Sequence, residues 1–491
     1  MIVPLFYILN LLLKVNMPTV TRQQISGLRP QCLSFYEVIA QSIANIAPSA
    51  APTLNVPLMF AAAGKGTWLA FLIATIGLVL ICLNINQFAC RSASPGSLYS
   101  YIASGLGSTV GIISGWSLVL AYLFTAMALM GGAANYVNVL LSVFGVQVYS
   151  ILVYACSVGI ASYVAYRDIQ LSTIFMLVLE LFSVGLILSL AGIVLFEHGL
   201  TIDTSQIVLE GVSLDSVRQG LVLAVLCFVG FESSTALGDE AKKPLKYIPR
   251  AVIWSTVFSG LFFMFLSYTE VLGFSGYEMS LDKSDAPLNV LATLAGVNFF
   301  GTMISTAAII SMFGGTLASI HAGSRVLFSL ARHGIFHASI GRAHNTYKTP
   351  HIAVTVLALV AFFVSSSISL FNVRGLDAFG YLGSIATYGF LLVYILVSVA
   401  APVYLYRQGK LRPSNVVISV LAVLFMLIPV IGSIYPVPPA PYNVFPYLFL
   451  MLLAVGGGRI FMIRLRSPQI IENIERDLEA NHNKFKDMKI F

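Results

Sequence analysis

Two short runs hold the residues best suited to chemistry, Ile46-Ala47-Pro48-Ser49-Ala50-Ala51-Pro52 and Phe228-Val229-Gly230-Phe231-Glu232-Ser233-Ser234. Both lie inside otherwise apolar stretches. Pro48 and Pro52 remove two backbone donors and leave carbonyls unpaired. Gly230, with Gly238 a few residues later, interrupts the second run. Unpaired backbone at membrane depth is tolerated only where it is buried in protein or lines a polar cavity. A half-helix N-terminus offers free N–H groups and a positive dipole end to an anionic group. Freed carbonyls face a cation. A zwitterionic amino acid, with carboxylate and ammonium close together, suits such a site. The alternative is two ordinary kinks.

Glu232 sits within the second run. A carboxylate at a helix centre costs about 2.5–3.5 kcal/mol on insertion scales. It therefore faces a cavity, pairs with a donor or is protonated, as a proton carrier or a pH-sensitive latch. It could equally cap the restarted helix. Glu180 is a second intramembrane carboxyl, either a proton-coupling group or one end of an interhelical hydrogen bond. His321 reads as a packing histidine. Asp239 and Glu240, just before Lys242 and Lys243, read as an inner gate or a solvated charge cluster. Cys32, Cys82, Cys90, Cys156 and Cys227 contain no CxxC pair, so neither a disulfide framework nor a metal site is expected. No cofactor is expected.

The elements that hold these residues must be membrane helices. The 491 residues are 58% hydrophobic and only 10% charged, with a mean hydropathy of +0.88; a soluble protein carries about 25% charged residues. At about 20 apolar residues per crossing, the chain accommodates about a dozen spans. Charge-poor runs place them at 33–63, 68–88, 107–141, 149–166, 171–196, 220–238, 251–274, 299–330, 351–371, 378–406, 416–434 and 442–463. With the N-terminus inside, all but four of the 27 Lys and Arg fall in cytoplasmic segments, as the positive-inside rule requires. The exceptions are Lys65, Arg218, Lys283 and Arg374. The net charge of +7 thus reflects topology rather than nucleic-acid binding. Both termini are expected to be cytoplasmic, in the plasma (inner) membrane. The breaks fall in spans one and six, the first of each set of five, as in carriers built from inverted repeats.

Three fragments carry a resemblance. Phe228–Glu232 with Gly238-Asp239-Glu240-Ala241-Lys242-Lys243-Pro244 and Ile248-Pro249-Arg250-Ala251 is similar to the sixth-span signature of the amino acid–polyamine–organocation superfamily of permeases. Pro95-Gly96-Ser97-Leu98-Tyr99-Ser100-Tyr101, followed by Gly115-Trp116, resembles that family's loop between spans two and three. Ala322-Gly323-Ser324-Arg325 with Ala331-Arg332-His333-Gly334 resembles the end of its eighth span.

The resemblance implies an all-α polytopic fold of twelve helices: a leucine-transporter-like 5+5 inverted repeat plus two C-terminal helices. The implied units are a cytoplasmic segment 1–32, a first repeat 33–196, a second repeat 219–406, a hairpin 416–463 and a cytoplasmic tail 464–491. Residues 1–16 belong to the product only if Met17 is not the true start. By carry-over, Ala47, Pro48, Ser49, Ala50 and Ala51 meet a substrate carboxylate. Phe228, Val229 and Gly230 meet the ammonium, with Phe228 or Phe231 as a lid and Glu232 beside them. The candidates for coupling or gating are Glu180, Ser183, Glu232, Asp239, Thr316, Ser319 and Arg325, with small hydroxyls such as Thr316 and Ser319 equally suited to helix packing. Two features depart from the family pattern. The first break is Ala-Pro-Ser-Ala-Ala-Pro instead of Gly-rich. The fifth span has no lysine, and Ser183 or a near neighbour occupies the place where some proton-coupled members have one.

The expected function is secondary transport of amino acids by alternating access, through proton symport or exchange. The alternatives are a polyamine or other organic-cation carrier of the same fold, and a sodium-coupled symporter. The expected partners are a small-molecule substrate, the lipid bilayer and a coupling ion, H+ before Na+. An enzyme would need a catalytic constellation, and neither HExxH nor GxSxG occurs.

Overall fold

The computed structural model describes residues 27–466, apart from 143, 168 and 285, together with 474 and 476. The Met17 start and most of the tail lie outside the described residues. The described chain is helical, without strands; one isolated parallel bridge joins Leu33 to Ala241.

The first crossing is built from α1 (Phe35–Ile46), a wide π-turn (Ala51–Asn55) and α2 (Val56–Ala63). After it come α3 (Thr67–Ala89), α4 (Leu98–Leu106), α5 (Ser108–Ser142), α6 (Ser150–Arg167) and α7 (Ile169–Glu197). The second set has α8 (Leu214–Leu226), a 3₁₀ turn (Ser233–Leu237), α9 (Pro244–Gly273), α10 (Pro287–Leu294), α11 (Asn298–Arg332), α12 (His351–Leu370) and α13 (Gly375–Arg407). A closing pair, α14 (Pro413–Gly432) and α15 (Phe445–Arg466), completes the described chain.

Nine helical runs among the described residues are long and apolar enough to cross a bilayer. One, Phe35–Ala89, has 55 residues, well over twice the about 20 that one crossing needs. The interrupted α8 segment and the short apolar run Tyr442–Gly458 fall below that measure, so length and composition alone do not reach twelve. The sixth segment also differs from the expected 220–238. Ser213, in a reciprocal capping box with Ser216, starts the helix at Leu214, and beyond Leu226 the chain turns instead of continuing as α-helix.

Packing follows the two sets. α3 lies on α9, α5 on α11 and α6 on α12, so second, third and fourth helices face their counterparts. The cross pairs α5 with α13 and α11 with α7 are matched likewise. A short helix precedes the third member of each set, α4 before α5 and α10 before α11. These matches are what two inverted five-helix repeats produce.

α5 is buried along most of its length, whereas α6, α7 and α12 turn Leu152, Ile160, Leu181 and Phe363 outward. Small residues let the inner helices approach closely, as in membrane bundles. A Cβ on Gly131 would lie 2.9 Å from the Gly375 carbonyl oxygen, and one on Gly389 would lie 3.0 Å from that of Ser117.

Candidate functional site

The first break begins where α1 ends. Ala47 caps it in the left-handed region (φ 49°), and Pro48 cannot donate to continue the ladder. The chain restarts through Ala50 N–H to the Ala47 carbonyl (2.8 Å). Thr53 Oγ1 donates to the Ser49 carbonyl (2.6 Å), and Tyr136 donates to the Thr53 carbonyl (3.0 Å). Part of the freed backbone is thus paired within the protein.

The second break spans Cys227–Glu232. Gly230 has φ +92°, and a Cβ there would overlap the side-chain nitrogen of Asn45, so only glycine lets the two breaks meet. Ser233 Oγ donates to the Gln41 carbonyl (3.1 Å), and Ser234 N–H donates to Ser42 Oγ (3.1 Å). The 3₁₀ half-segment is therefore stitched to α1.

Between the breaks lies a cavity of about 510 Å³, within the usual range for small-molecule sites. Ala50, Ala51 and Asn45 border it from the first break, and Val229, Leu226 and Leu223 from the second segment. Thr125, Thr387 and Ser384 add hydroxyls from α5 and α13. Its outer part is lined by Arg218, Gln219 and the Pro-rich turn Pro436–Pro439, with Val437 exposed. Arg218 is the only charged side chain among the described lining residues. Asn45 is held on one side, where Ser319 Oγ donates to its Oδ1 (2.7 Å), while its buried Nδ2 has no hydrogen-bond partner.

The opposite end, toward the basic loop 239–246, is sealed. Arg325 and Glu240, both fully buried, form a two-point ion pair with Nε and Nη2 each 2.7 Å from a carboxylate oxygen. Lys242 N–H donates to the Leu33 carbonyl (2.9 Å), and Leu33 N–H to that of Glu240 (2.9 Å). Ser97 and Thr235 share a hydroxyl hydrogen bond. Tyr99 Oη meets His333 Nδ1 at 2.7 Å. The three sequence fragments singled out above thus converge on one seal.

The family model described as amino acid permease matches residues 37–450. The chain belongs to the amino acid permease family. The permease is 24% identical over 391 residues to the branched-chain amino acid permease BcaP of Bacillus subtilis (strain 168), covering 74% of this chain and 80% of the relative. It is 26% identical over 330 residues to the low-affinity putrescine importer PlaP of Escherichia coli (strain K12), covering 64% and 71%. Among solved structures it resembles a Na+-coupled sialic acid symporter in a substrate-bound outward-open state, with TM-score 0.53, 12% identity, and 82% and 90% of the two chains covered. That likeness supports the fold. The permease is accordingly a membrane transporter of the leucine-transporter-like fold.

The expected site residues separate in the permease. Ala50, Ala51 and Val229 border the cavity. Ala47 and Pro48 form the bend behind it. Ser49 is buried against Ser183, hydroxyl to hydroxyl, and Ser183 also donates to the Ala307 carbonyl (3.1 Å). Neither aromatic expected as a lid lines the cavity: Phe228 packs on Phe263 (centroids 5.1 Å apart) and Phe231 on Tyr394 (5.0 Å). Gly230 contributes close approach.

Glu232 does not cap the restarted turn, since its side chain makes no cap hydrogen bond. Instead Tyr122 donates to one carboxylate oxygen (2.7 Å) and Tyr394 to the other (2.5 Å). Thr316 donates to its own helix at the Met312 carbonyl (2.9 Å). At the seal the partner of Glu240 is Arg325; no ion pair joins Asp239 to Lys242 or Lys243 among the described residues.

Sequence reasoning overlooked Asn45, Tyr122, Tyr394 and the buried Glu270. Asn45 carries a signal, being a polar residue one position before the broken run. The tyrosines carry none, because their partner is fixed only by three-dimensional packing.

Proposed function

We propose that the permease is a secondary carrier of amino acids with apolar side chains, working by alternating access with proton symport or exchange. The observation that carries this reading is the composition of the cavity wall. Alanine, valine and leucine line it, with an unpartnered amide donor at one break and no carboxylate among the described lining residues. The first break supplies the donor toward a carboxylate, and the apolar wall suits an aliphatic side chain. A diamine would place two cations where no described acid meets them, at a large desolvation cost. The similarity to a branched-chain amino acid permease points the same way.

The basic face is the cytoplasmic one on this reading, by loop charge. The cavity then reaches toward the outside while the Arg325–Glu240 end is closed. The units proposed are the two five-span repeats 33–196 and 219–406, with the hairpin 416–463 as the eleventh and twelfth spans. The membrane proposed is the plasma (inner) membrane.

Purified protein in liposomes, offered labelled isoleucine, leucine or putrescine after preloading in each case with the same compound unlabelled, tests the reading. Counterflow of the branched-chain amino acids with little or none of putrescine is expected. Putrescine counterflow without amino acid counterflow would overturn it.

A further inference from the structure

Of the buried carboxyl groups in the bundle, Glu270 on α9 has no partner on either oxygen, whereas Glu180 on α7 is half-partnered and held differently from Glu232. One oxygen of Glu180 accepts from Ser311 Oγ of α11 (2.7 Å), while Oε2 is buried with no partner. Glu232 has a hydroxyl donor on each oxygen. Glu180 is also connected to the first break. Ser183, one turn further along α7, bonds to Ser49 and to the Ala307 carbonyl, one turn before Ser311 on α11. The same α7–α11 interface thus holds both the free carboxyl oxygen and the anchor of the broken helix. Gly314, across from Glu180, leaves 3.6 Å between an added Cβ and the carboxyl oxygen, so no side chain there crowds it.

The helices packed against α7 bring no cation to this carboxyl. On α11 the titratable groups are His321, bonded to Ser172 (3.0 Å), Arg325, engaged by Glu240, and Arg332 at the helix end. His321 stands ten residues from Ser311, about 15 Å along the helix. On α1 the acid is Glu37, which accepts from Ser34 N–H at the helix start. α9 carries Lys246, Tyr247, Arg250, Tyr268 and Glu270, α6 carries Tyr154, Cys156, Tyr163, Tyr166 and Arg167, and α10 carries none. No ion pair with Glu180 occurs among the described residues.

We propose that Glu180 is the proton-binding site of the permease, and that the Ser183–Ser49 link transmits its charge state to the first break. This rests on the carrier reading above. The proton forms one O–H bond on the free oxygen, drawn from water on the proton-rich side, and is returned to water on the other. The carboxylate is neutral in one state and charged in the other, and a buried charge without a partner favours rearrangement.

The test uses the full-length protein in liposomes with labelled isoleucine. Glu180→Gln is expected to keep counterflow yet lose accumulation driven by an inward proton gradient by about tenfold, within the usual span of coupled sites. Its uptake is expected to be flat with pH. Accumulation and pH profile equal to the unaltered protein would overturn the proposal. So would counterflow without any response to a proton gradient in the unaltered protein, a result that leaves the carrier reading standing. Absence of amino acid counterflow in the unaltered protein would instead sink the carrier reading. Should Glu180→Gln fail to fold, Ser311→Ala removes the one donor to the carboxyl. It is expected to move the pH of half-maximal uptake, and an unmoved midpoint counts against the proposal.

Discussion

Gly230 illustrates how one residue sets the geometry of two segments. Its left-handed φ and its contact with Asn45 both exclude a side chain. Gly230→Ala combines backbone strain of about 1–3 kcal/mol with an overlap that must displace Asn45. The expected outcome is a clear loss of thermal stability in detergent together with lost isoleucine binding. Tyr394→Phe should be milder. It leaves one buried oxygen of Glu232 unpartnered and removes the acceptor of the Gly230 N–H (3.3 Å), costing about 1–3 kcal/mol. His333 offers a pH test at the same scale. Burial, then the nearby Arg332, pushes its imidazole down to about 4 from an ordinary 6.5. The folded state therefore binds this proton less readily than the unfolded one. Its contribution is fully present above pH 6.5 and is lost as pH falls toward 4. A melting series from pH 7 to 4 should show a smaller acid loss in His333→Gln than in the unaltered protein.

At the scale of elements, the seal joins the end of α11 to the segment after the second break. Arg325→Met alone strands Glu240 in a buried place, at a cost of about 3–5 kcal/mol. The double variant Arg325→Met with Glu240→Met should recover much of that stability, as hydrophobic replacements of buried pairs commonly do. A melting-temperature cycle checks the coupling. The helices themselves were legible from composition. Apolar length locates α5, α7, α11 and α13 to within a few residues of their ends, because lipid demands continuous apolar surface. The breaks were legible too, since proline and glycine act locally. What was not legible is which side of a broken segment faces the cavity. Ser49 turns to Ser183 and Phe228 turns to Phe263, because a π-turn and an irregular turn do not keep the 3.6-residue period that would assign faces. Glu240 and Arg325 lie 85 positions apart, so their pairing follows from the packing of α11 and not from any local pattern.

For the whole molecule, the cavity reaches one face while the other is locked, and the proposed orientation makes that face external. A cysteine at Val437, 74% exposed, should react with an impermeant maleimide on intact cells. One at Lys246, on the basic face, should react only after the membrane is opened. The reverse pattern would invert the orientation. Leu391→Trp, which fills the cavity wall from α13, should raise the half-saturating isoleucine concentration about tenfold or more, measured as binding in detergent, since lost cavity volume translates directly into lost contact.

The Pro-rich turn between α14 and α15 lines the mouth of the cavity although it lies outside both of the proposed five-span repeats. The paired breaks cannot drift apart in evolution without losing their contact at Gly230. The mouth, by contrast, is built partly from a segment with no counterpart in the other half. On the carrier reading proposed above, substitutions in this turn alter the entrance without touching the contact of the two breaks at Gly230. The same turn is the part of the pore wall that a binder acting from that side of the membrane can grip without first opening the transporter.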